Sequence, residues 1–524
     1  MKENFTFGAN ILDNLTTGMY IDPLVLYREY IQNACDSIDK AVEYNVLKSD
    51  KQGRIEVWLD KSKRQIEIED NGYGIPAKDF KRVLGNIADS DKILGEDKGF
   101  RGIGRLCGLA YCGRLKFISK KKGETIISTL ICDAKEMRKL LADHQSKQQK
   151  YLASEILTQI YEFKSEETTA VDKHYFKVVL EDVGTQNDNL LDISLIKEYL
   201  SFVAPVAYQN TFYYRSKIYE MAKKDDMKID EYSVQINGED VFKKYVTVLK
   251  DRNNKKYDEI ADVSFKKFND SNGTLIAWMW VGVHQFKQAI PKNNLMRGIR
   301  LRKHNIQIGD EDALQKLFKE DRGNSYFIGE VFALDKNLVP NARRDYFNEN
   351  QAKKELEKAL KMEFDQIMYK TYHLGSYINS RVKKIKKYEN TKTDFEEEKK
   401  VGFAGKEHEE QMEAELTKTE QDAKRAQKEI NKKLEKIPED SLLSKVAIVI
   451  EQNLGEGLPQ QPDIIEHTNA NNSYKTKKSW RTDKLSSLSK QERKLVGKIF
   501  DIIFTVVEKG IAEKVVSKIE EELR

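Results

Sequence analysis

The sequence predicts an α+β sandwich first, a second α/β domain after it, and a helical region to finish. Three observations carry this. Residues 23–40 place apolar side chains at helical spacing and run straight into an alternating apolar–polar stretch over residues 55–68. Strand signals restart after residue 206. No proline occurs between Pro340 and Pro438, and that stretch is dominated by Lys, Glu, Gln and Ala. The expected bounds are 1–205 for the first domain, 206–350 for the second, 351–440 for a long charged helix or coiled coil, and 441–524 for a helical C-terminal domain.

In chain order, Asp22–Pro23 supplies a cap and a first-turn proline. Leu24, Tyr27, Ile31, Ala34, Cys35 and Ile38 then form one helical face. Ile55, Val57 and Leu59, a polar turn at 60–64, and Ile66 and Ile68 read as a β-hairpin. Residues 115–119, 125–131 and 175–180 read as strands, 134–162 as helical, and 192–204 as an amphipathic helix. Further on, 274–283, 299–308 and 326–334 are strand candidates. Leu416, Ala423, Ile430 and Ile437 recur every seventh position, which suits a coiled coil or a long, partly solvated helix. Residues 466–490 are polar and read as a loop. The closing helix, 489–524, carries Leu495, Ile499, Ile502, Ile503, Val506 and Val507, a face too apolar to leave in water, so it is expected to pack on the body or on a second subunit.

Composition narrows the function classes. The chain has 524 residues, with Lys+Arg 90 against Asp+Glu 85, a net charge of +5. A protein that coats nucleic acid shows a larger excess, so any such contact needs a local patch. No apolar run approaches the ~18–20 residues that span a bilayer, and the first residues lack the order of a signal peptide. A cytoplasmic protein without membrane contact is expected. Cys35, Cys107, Cys112 and Cys132 show no metal-ligand spacing and read as buried free thiols.

Three short segments carry chemistry. On the first helix, Glu29, Asn33 and Asp36 share a polar face. Asp70-Asn71-Gly72-Tyr73-Gly74 follows a strand directly, where a carboxylate can accept from an amino group and glycines let backbone approach a ligand. Gly99, Gly102 and Gly104 fall within six positions ahead of an apolar run, and such a segment offers backbone N–H groups to phosphates. It is neither a Walker loop nor a dinucleotide fingerprint.

Together and in this order, the segments resemble the GHKL ATPases: gyrase B subunits, the ninety-kilodalton heat-shock chaperone, histidine kinases, MutL and MORC proteins. The resemblance implies a Bergerat-type ATPase sandwich that binds ATP and Mg2+. It implies Glu29 as general base, Asn33 as the magnesium ligand, and Asp70, with Gly72 and Gly74, around adenine. It implies Gly99, Arg101, Gly102, Ile103 and Gly104 on the phosphates, with Lys98 and Arg105 as further phosphate candidates. Ser90 and Lys92 fall in a stretch similar to the start of the chaperone lid. Asp36 suits a pocket wall or a surface charge. The family's Gly-Thr motif is not intact, and Thr168 or Thr169 stands in its region.

The second domain resembles the family's S5-like transducer. Asn341-Ala-Arg343-Arg344-Asp345 is similar to the chaperone's middle-domain arginine segment, which makes Arg344 the γ-phosphate sensor and Arg343 the runner-up. The implied function is a nucleotide-gated dimer clamp of the heat-shock-chaperone type, a homodimer acting on an unknown protein client or effector. Two alternatives stand beside it: a DNA-acting clamp like MORC, MutL or a topoisomerase B subunit, for which the Arg300–Lys303 run offers a basic patch, and an ATPase regulator in a bacterial anti-phage defence complex.

Overall fold

The computed structural model describes residues 6–16, 18, 22–89, 98–99, 102–435, 437, 441–455 and 479–524. The chain divides into two compact units, residues 1–283 with 289–369, and residues 284–288 with 370–524.

The first unit opens with a short helix α1 (Asn10–Thr16) and the long helix α2 (Val25–Glu43). Asp22 caps the entrance to α2, accepting the Leu24 N–H at 3.0 Å. An eight-stranded sheet follows, built from β1 (Arg54–Asp60), β2 (Gln65–Asp70), β3 (Arg114–Lys120), β4 (Ile126–Asp133), β5 (Tyr161–Glu167), β6 (Tyr175–Glu181), β7 (Ser233–Ile236) and β8 (Glu239–Asp240). The spatial order is β5-β4-β3-β6-β2-β1-β7-β8. All pairs are antiparallel except β1–β7, which runs parallel. The sheet therefore takes in residues 233–240, beyond position 205.

Alternation explains the two layers. Ile55, Val57, Ile66 and Ile68 are buried on one face under α2, and the helices α3 (Ala77–Gly85), α4 (Ala134–Gln145) and α5 (Ala153–Ile160) cover the same core over β3 and β4. Asp70 continues the Ile66–Ile68 register, so a carboxylate is delivered to the buried, helix-covered face. The stretch 134–162 is two helices and the start of a strand: β5 pairs with β4 from Tyr161 to Glu167.

After α6 (Ile193–Val203) and α7 (Arg215–Lys224), a two-stranded ribbon pairs β9 (Val248–Lys250) with β10 (Lys256–Glu259). A second sheet is ordered β11-β12-β15-β13-β14, from β11 (Asp262–Asn269), β12 (Leu275–Val283), β13 (Gly298–Lys303), β14 (Ile306–Ile308) and β15 (Ile328–Ala333). Its middle is buried, with Trp278 and Trp280 wholly enclosed. The helix α8 (Gln351–Glu363) packs on β11 and β12. Beneath this sheet lies a buried ionic node. Glu330 on β15 accepts from Lys243 at 2.9 Å, from Tyr245 at 3.1 Å, and from Arg302 and Tyr208. The Arg300–Lys303 run belongs to this interior: Arg300, Arg302 and Lys303 are buried, so it is no surface patch for a polyanion.

In the second unit, α9 (Tyr369–Val401) and α10 (Lys406–Leu434) form an antiparallel pair, held by Arg381–Glu429 at 3.0 Å and Lys387–Glu415 at 3.5 Å. The seam of α10, with Thr419, Ala423, Ala426 and Ile430 buried, is thus used within the chain. Beyond α11 (Leu442–Gly455), the segment from 489 forms two helices, α12 (Lys490–Val506) and α13 (Lys509–Leu523), not one. They break at Val507, which is extended (φ −110°, ψ 144°), at the end of a β-branched pair. Most of the polar stretch 466–490 lies outside the described residues. Among the described residues no helix is long and apolar enough to cross a membrane. All four cysteines are free and buried. Burial pushes the Cys112 thiol up to about 12.

Candidate active site

The site is assembled on α2. Glu29, Gln32 and Asp36 project from this helix and are nearly enclosed, while Asn33 is half-buried beside them. The 3.6-residue repeat places Glu29, Asn33 and Asp36 on one face, and the first unit folds four other segments against that face.

The first is the strand end at Asp70. Its carboxylate, 3% exposed, accepts the Gly72 N–H at 2.9 Å. The Tyr73 N–H donates to the Ser37 carbonyl at 2.9 Å, which pins the 70–74 loop to α2. Gly72 lies against Ser37, and Gly74 lies beside the Lys120 carbonyl.

The second is the beginning of β6. His174 Nδ1 lies 2.7 Å from the Gly72 carbonyl. A carbonyl only accepts, so Nδ1 carries the proton. Thr168 and Thr169 sit in a turn next to the β3–β4 hairpin, where the Thr168 N–H donates to the Thr125 carbonyl at 2.8 Å. His174 is thus the side chain on the 70–74 loop from this direction. Sequence reasoning passed over it because a lone histidine after a loop carries no signal.

The third is the glycine segment. Gly99 sits on α2 so closely that an added Cβ would lie 2.9 Å from Gln32 Nε2 and 3.0 Å from Asn33 Oδ1. A Cβ at Gly104 would collide with the Glu29 carboxylate. These two positions need glycine for close approach. Gly102 and Ile103 lie between them in sequence, and the short helix from Gly104 to Ala110 is docked on α2 through Tyr30. The Tyr30 hydroxyl donates to the Arg105 carbonyl and accepts from the Gly108 N–H, both at 3.0 Å. Ser90, Lys92 and Arg101 lie outside the described residues.

The phosphate candidates Lys98 and Arg105 are both occupied elsewhere. The Lys98 ammonium is buried and paired with Asp39. Burial alone lowers its pKa, but Asp230 and Asp39 outweigh that and hold it above the usual lysine value. The Arg105 guanidinium is turned to the Asn86 carbonyl.

The fourth segment is the loop 340–347. Pro340 and Phe347 bridge its ends, and the Asn341 N–H donates to the Tyr346 carbonyl at 2.9 Å. At its tip Arg344 takes φ +56°, a left-handed backbone that a non-glycine residue adopts only when its surroundings enforce it. The Gly309 N–H enforces it by donating to the Arg344 carbonyl at 2.8 Å. The Arg344 side chain, 9% exposed, lies 3.1 Å from Glu29 Oε1 and donates to the Lys98 carbonyl at 3.1 Å. Arg343 is exposed, and its carbonyl accepts from Arg28 Nη2 at 3.2 Å. Arg28 also lies 3.5 Å from Glu29. Arg28 and Gln32 are thus site residues that the sequence reading passed over, since neither fits a motif.

The arrangement is a carboxylate flanked by arginines, an amide beside it, and a buried aspartate on the loop held to the same helix. Comparison with known proteins bears on the same residues. Residues 25–167 match the model of the histidine kinase-, DNA gyrase B- and HSP90-like ATPases. The chain carries an ATPase domain of that family. Curated relatives are similar over the same region. The chaperone protein HtpG of Orientia tsutsugamushi is 32% identical over 143 residues, 23% of this chain and 22% of the relative. HtpG of Helicobacter hepaticus is 31% identical over 133 residues, 22% of each. HtpG of Acinetobacter baylyi is 30% identical over 143 residues, 23% of this chain and 22% of the relative. The aligned part covers about a fifth of these relatives. Within the ATPase domain fall Glu29, Asn33, Asp70 and the glycine segment, while Arg344 lies outside the matched residues.

Proposed function

We propose that this protein is a magnesium-dependent ATP hydrolase in which Arg344 completes the ATPase-domain site. The observation that carries this is the approach of Arg344 to Glu29, across 315 positions of sequence and within one compact unit. Glu29 orients and deprotonates the attacking water. Asp70 selects adenine, with Gly72 and Gly74 forming the wall beside it. The N–H groups of Gly102 and Gly104 face the β- and γ-phosphates. Arg344 offsets the charge that develops on the transferred group.

The residues present fit Mg2+. Asn33 offers a hard amide oxygen beside Gly99, where phosphates would pass, and magnesium favours such oxygens together with water and phosphate. When bound, the metal supplies neutralisation of phosphate charge. Asn33 would hold it, and Glu29, one helical turn away, stays available for the proton.

We read the cycle as that of a nucleotide-gated dimer clamp acting on a protein client. Support comes from the relatives named as chaperones and from α12, whose Leu495 and Val506 are 60% and 76% exposed. A second copy covering that face fits its lack of charge. The test is ATP turnover by the purified chain. Turnover should need Mg2+ and vanish with chelator, and Asn33→Ala should lose magnesium-dependent ATP binding. Turnover that ignores magnesium, or none at all, overturns the reading. Unchanged turnover on adding duplex DNA at low salt is expected, and stimulation that fades with salt favours the DNA-acting alternative.

A further inference from the structure

Asp36 is the third acidic or amide group on the site face of α2, and neither hydrolysis nor metal binding uses it. It is 7% exposed. Its carboxylate bridges two consecutive backbone amides: Oδ1 accepts the Lys98 N–H at 2.9 Å and Oδ2 accepts the Gly99 N–H at 2.9 Å. The peptide at this point is held from its other side as well. The Lys98 carbonyl accepts from Gln32 and, at 3.1 Å, from Arg344. The Lys98 ammonium is tied to Asp39, and Tyr232 donates its hydroxyl to the same aspartate at 2.5 Å.

Successive N–H groups pointing at one anion form a nest, the arrangement that elsewhere binds phosphate. Here the anion is built in. A charge-assisted, two-pronged bond of this kind is stronger than a neutral pair and fixes orientation as well as distance. Lys98–Gly99 stands three residues before Gly102 and five before Gly104. We propose that Asp36 is a positioning residue of the ATPase site, anchoring the Lys98–Gly99 peptide on α2 so that the glycine segment meets the phosphates of the nucleotide in a fixed place. Adenine recognition is assigned to Asp70, whose loop is held on α2 separately, through the Ser37 carbonyl. This inference rests on the nucleotide reading above.

The two sides of the nucleotide can be separated by calorimetric titration of the full chain with adenosine, ADP and MgATP. Asp36→Ala should weaken MgATP by about tenfold or more, as loss of two charge-assisted bonds implies. Adenosine binding should stay unchanged. Asp36→Asn, which keeps one acceptor oxygen, should fall between the two. An Asp36→Ala or Asp36→Asn chain that binds MgATP like wild type overturns the proposal. So does one in which adenosine and MgATP weaken in equal proportion, which marks a general structural role. So does tighter MgATP binding, which would make Asp36 a competitor of phosphate. A wild-type chain that binds adenosine and MgATP equally removes the nucleotide reading and this proposal together, and the wild-type titration alone reveals it.

Discussion

Two arginine–glutamate pairs stand in the same compact unit, and they are finished differently. Around Glu330 every acceptor is used: Arg302, Lys243, Tyr208 and Tyr245 all donate to it, and Arg302 further donates to the Asn305 and Phe202 carbonyls at 2.9 and 2.8 Å. Around Glu29 the charges are close but not closed. Arg344 and Arg28 approach to 3.1 and 3.5 Å, yet Glu29 Oε1, Arg28 Nε and Gln32 Oε1 have no aligned hydrogen-bond partner among the described residues. A buried polar set that is fully bonded specifies a structure. One with unused bonding capacity, lined by glycines, leaves donors and acceptors for a ligand, in keeping with the proposed site.

Breaking each pair should therefore have opposite signatures. Glu330→Gln leaves Arg302 and Lys243 buried without their carboxylate and should cost about 3–5 kcal/mol, read as a lower urea midpoint. Stability within error of wild type would remove the distinction. Arg344→Ala should lower kcat by about 100- to 1,000-fold while the urea midpoint falls less than in Glu330→Gln, because Arg28 still faces Glu29. Wild-type turnover in Arg344→Ala would return this residue to a purely structural ion pair.

Acid sharpens the contrast. Burial raises the Glu330 pKa, but Arg302 and Lys243 outweigh it and hold it at about 2. An unfolded glutamate titrates near ~4.3, so the folded state releases this proton more readily. The resulting stability is present above ~4.3 and is lost as pH falls toward 2. Wild type should lose urea resistance over that interval, and Glu330→Gln should lack this part of the slope. The smallest effect is expected at Arg343→Ala, where an exposed side chain is removed and kcat should stay within about twofold. A loss as large as that of Arg344→Ala would exchange the roles of the two arginines.

Sequence revealed the two regions unequally, for physical reasons. The helix α2 and the hairpin of β1 and β2 were legible because one apolar face at period 3.6 or 2 is what burial against a single layer demands. The strand β5 was not: Tyr161–Glu167 is an edge strand with mostly exposed side chains, so it shows no alternation. The strands β7 and β8 span four and two residues; β7 owes its place to pairing with β1, and β8 to pairing with β7. Within the site, Glu29, Asn33, Asp70 and the glycines were readable because their spacing is local. The partners of Asp36 and the lodging of Lys98 on Asp39 arise only when segments about 60 positions apart close on one another. Glu330 showed nothing in sequence, since its meaning is the five donors around it, Trp280 among them.

The central claim is that Glu29 drives hydrolysis in a site that binds ATP without its help. Single-turnover hydrolysis and MgATP affinity, measured on one preparation of Glu29→Ala, test it directly. The account predicts an affinity close to wild type and a loss of turnover of at least about 100-fold. Full turnover in a Glu29→Ala preparation free of contaminating ATPase would contradict it.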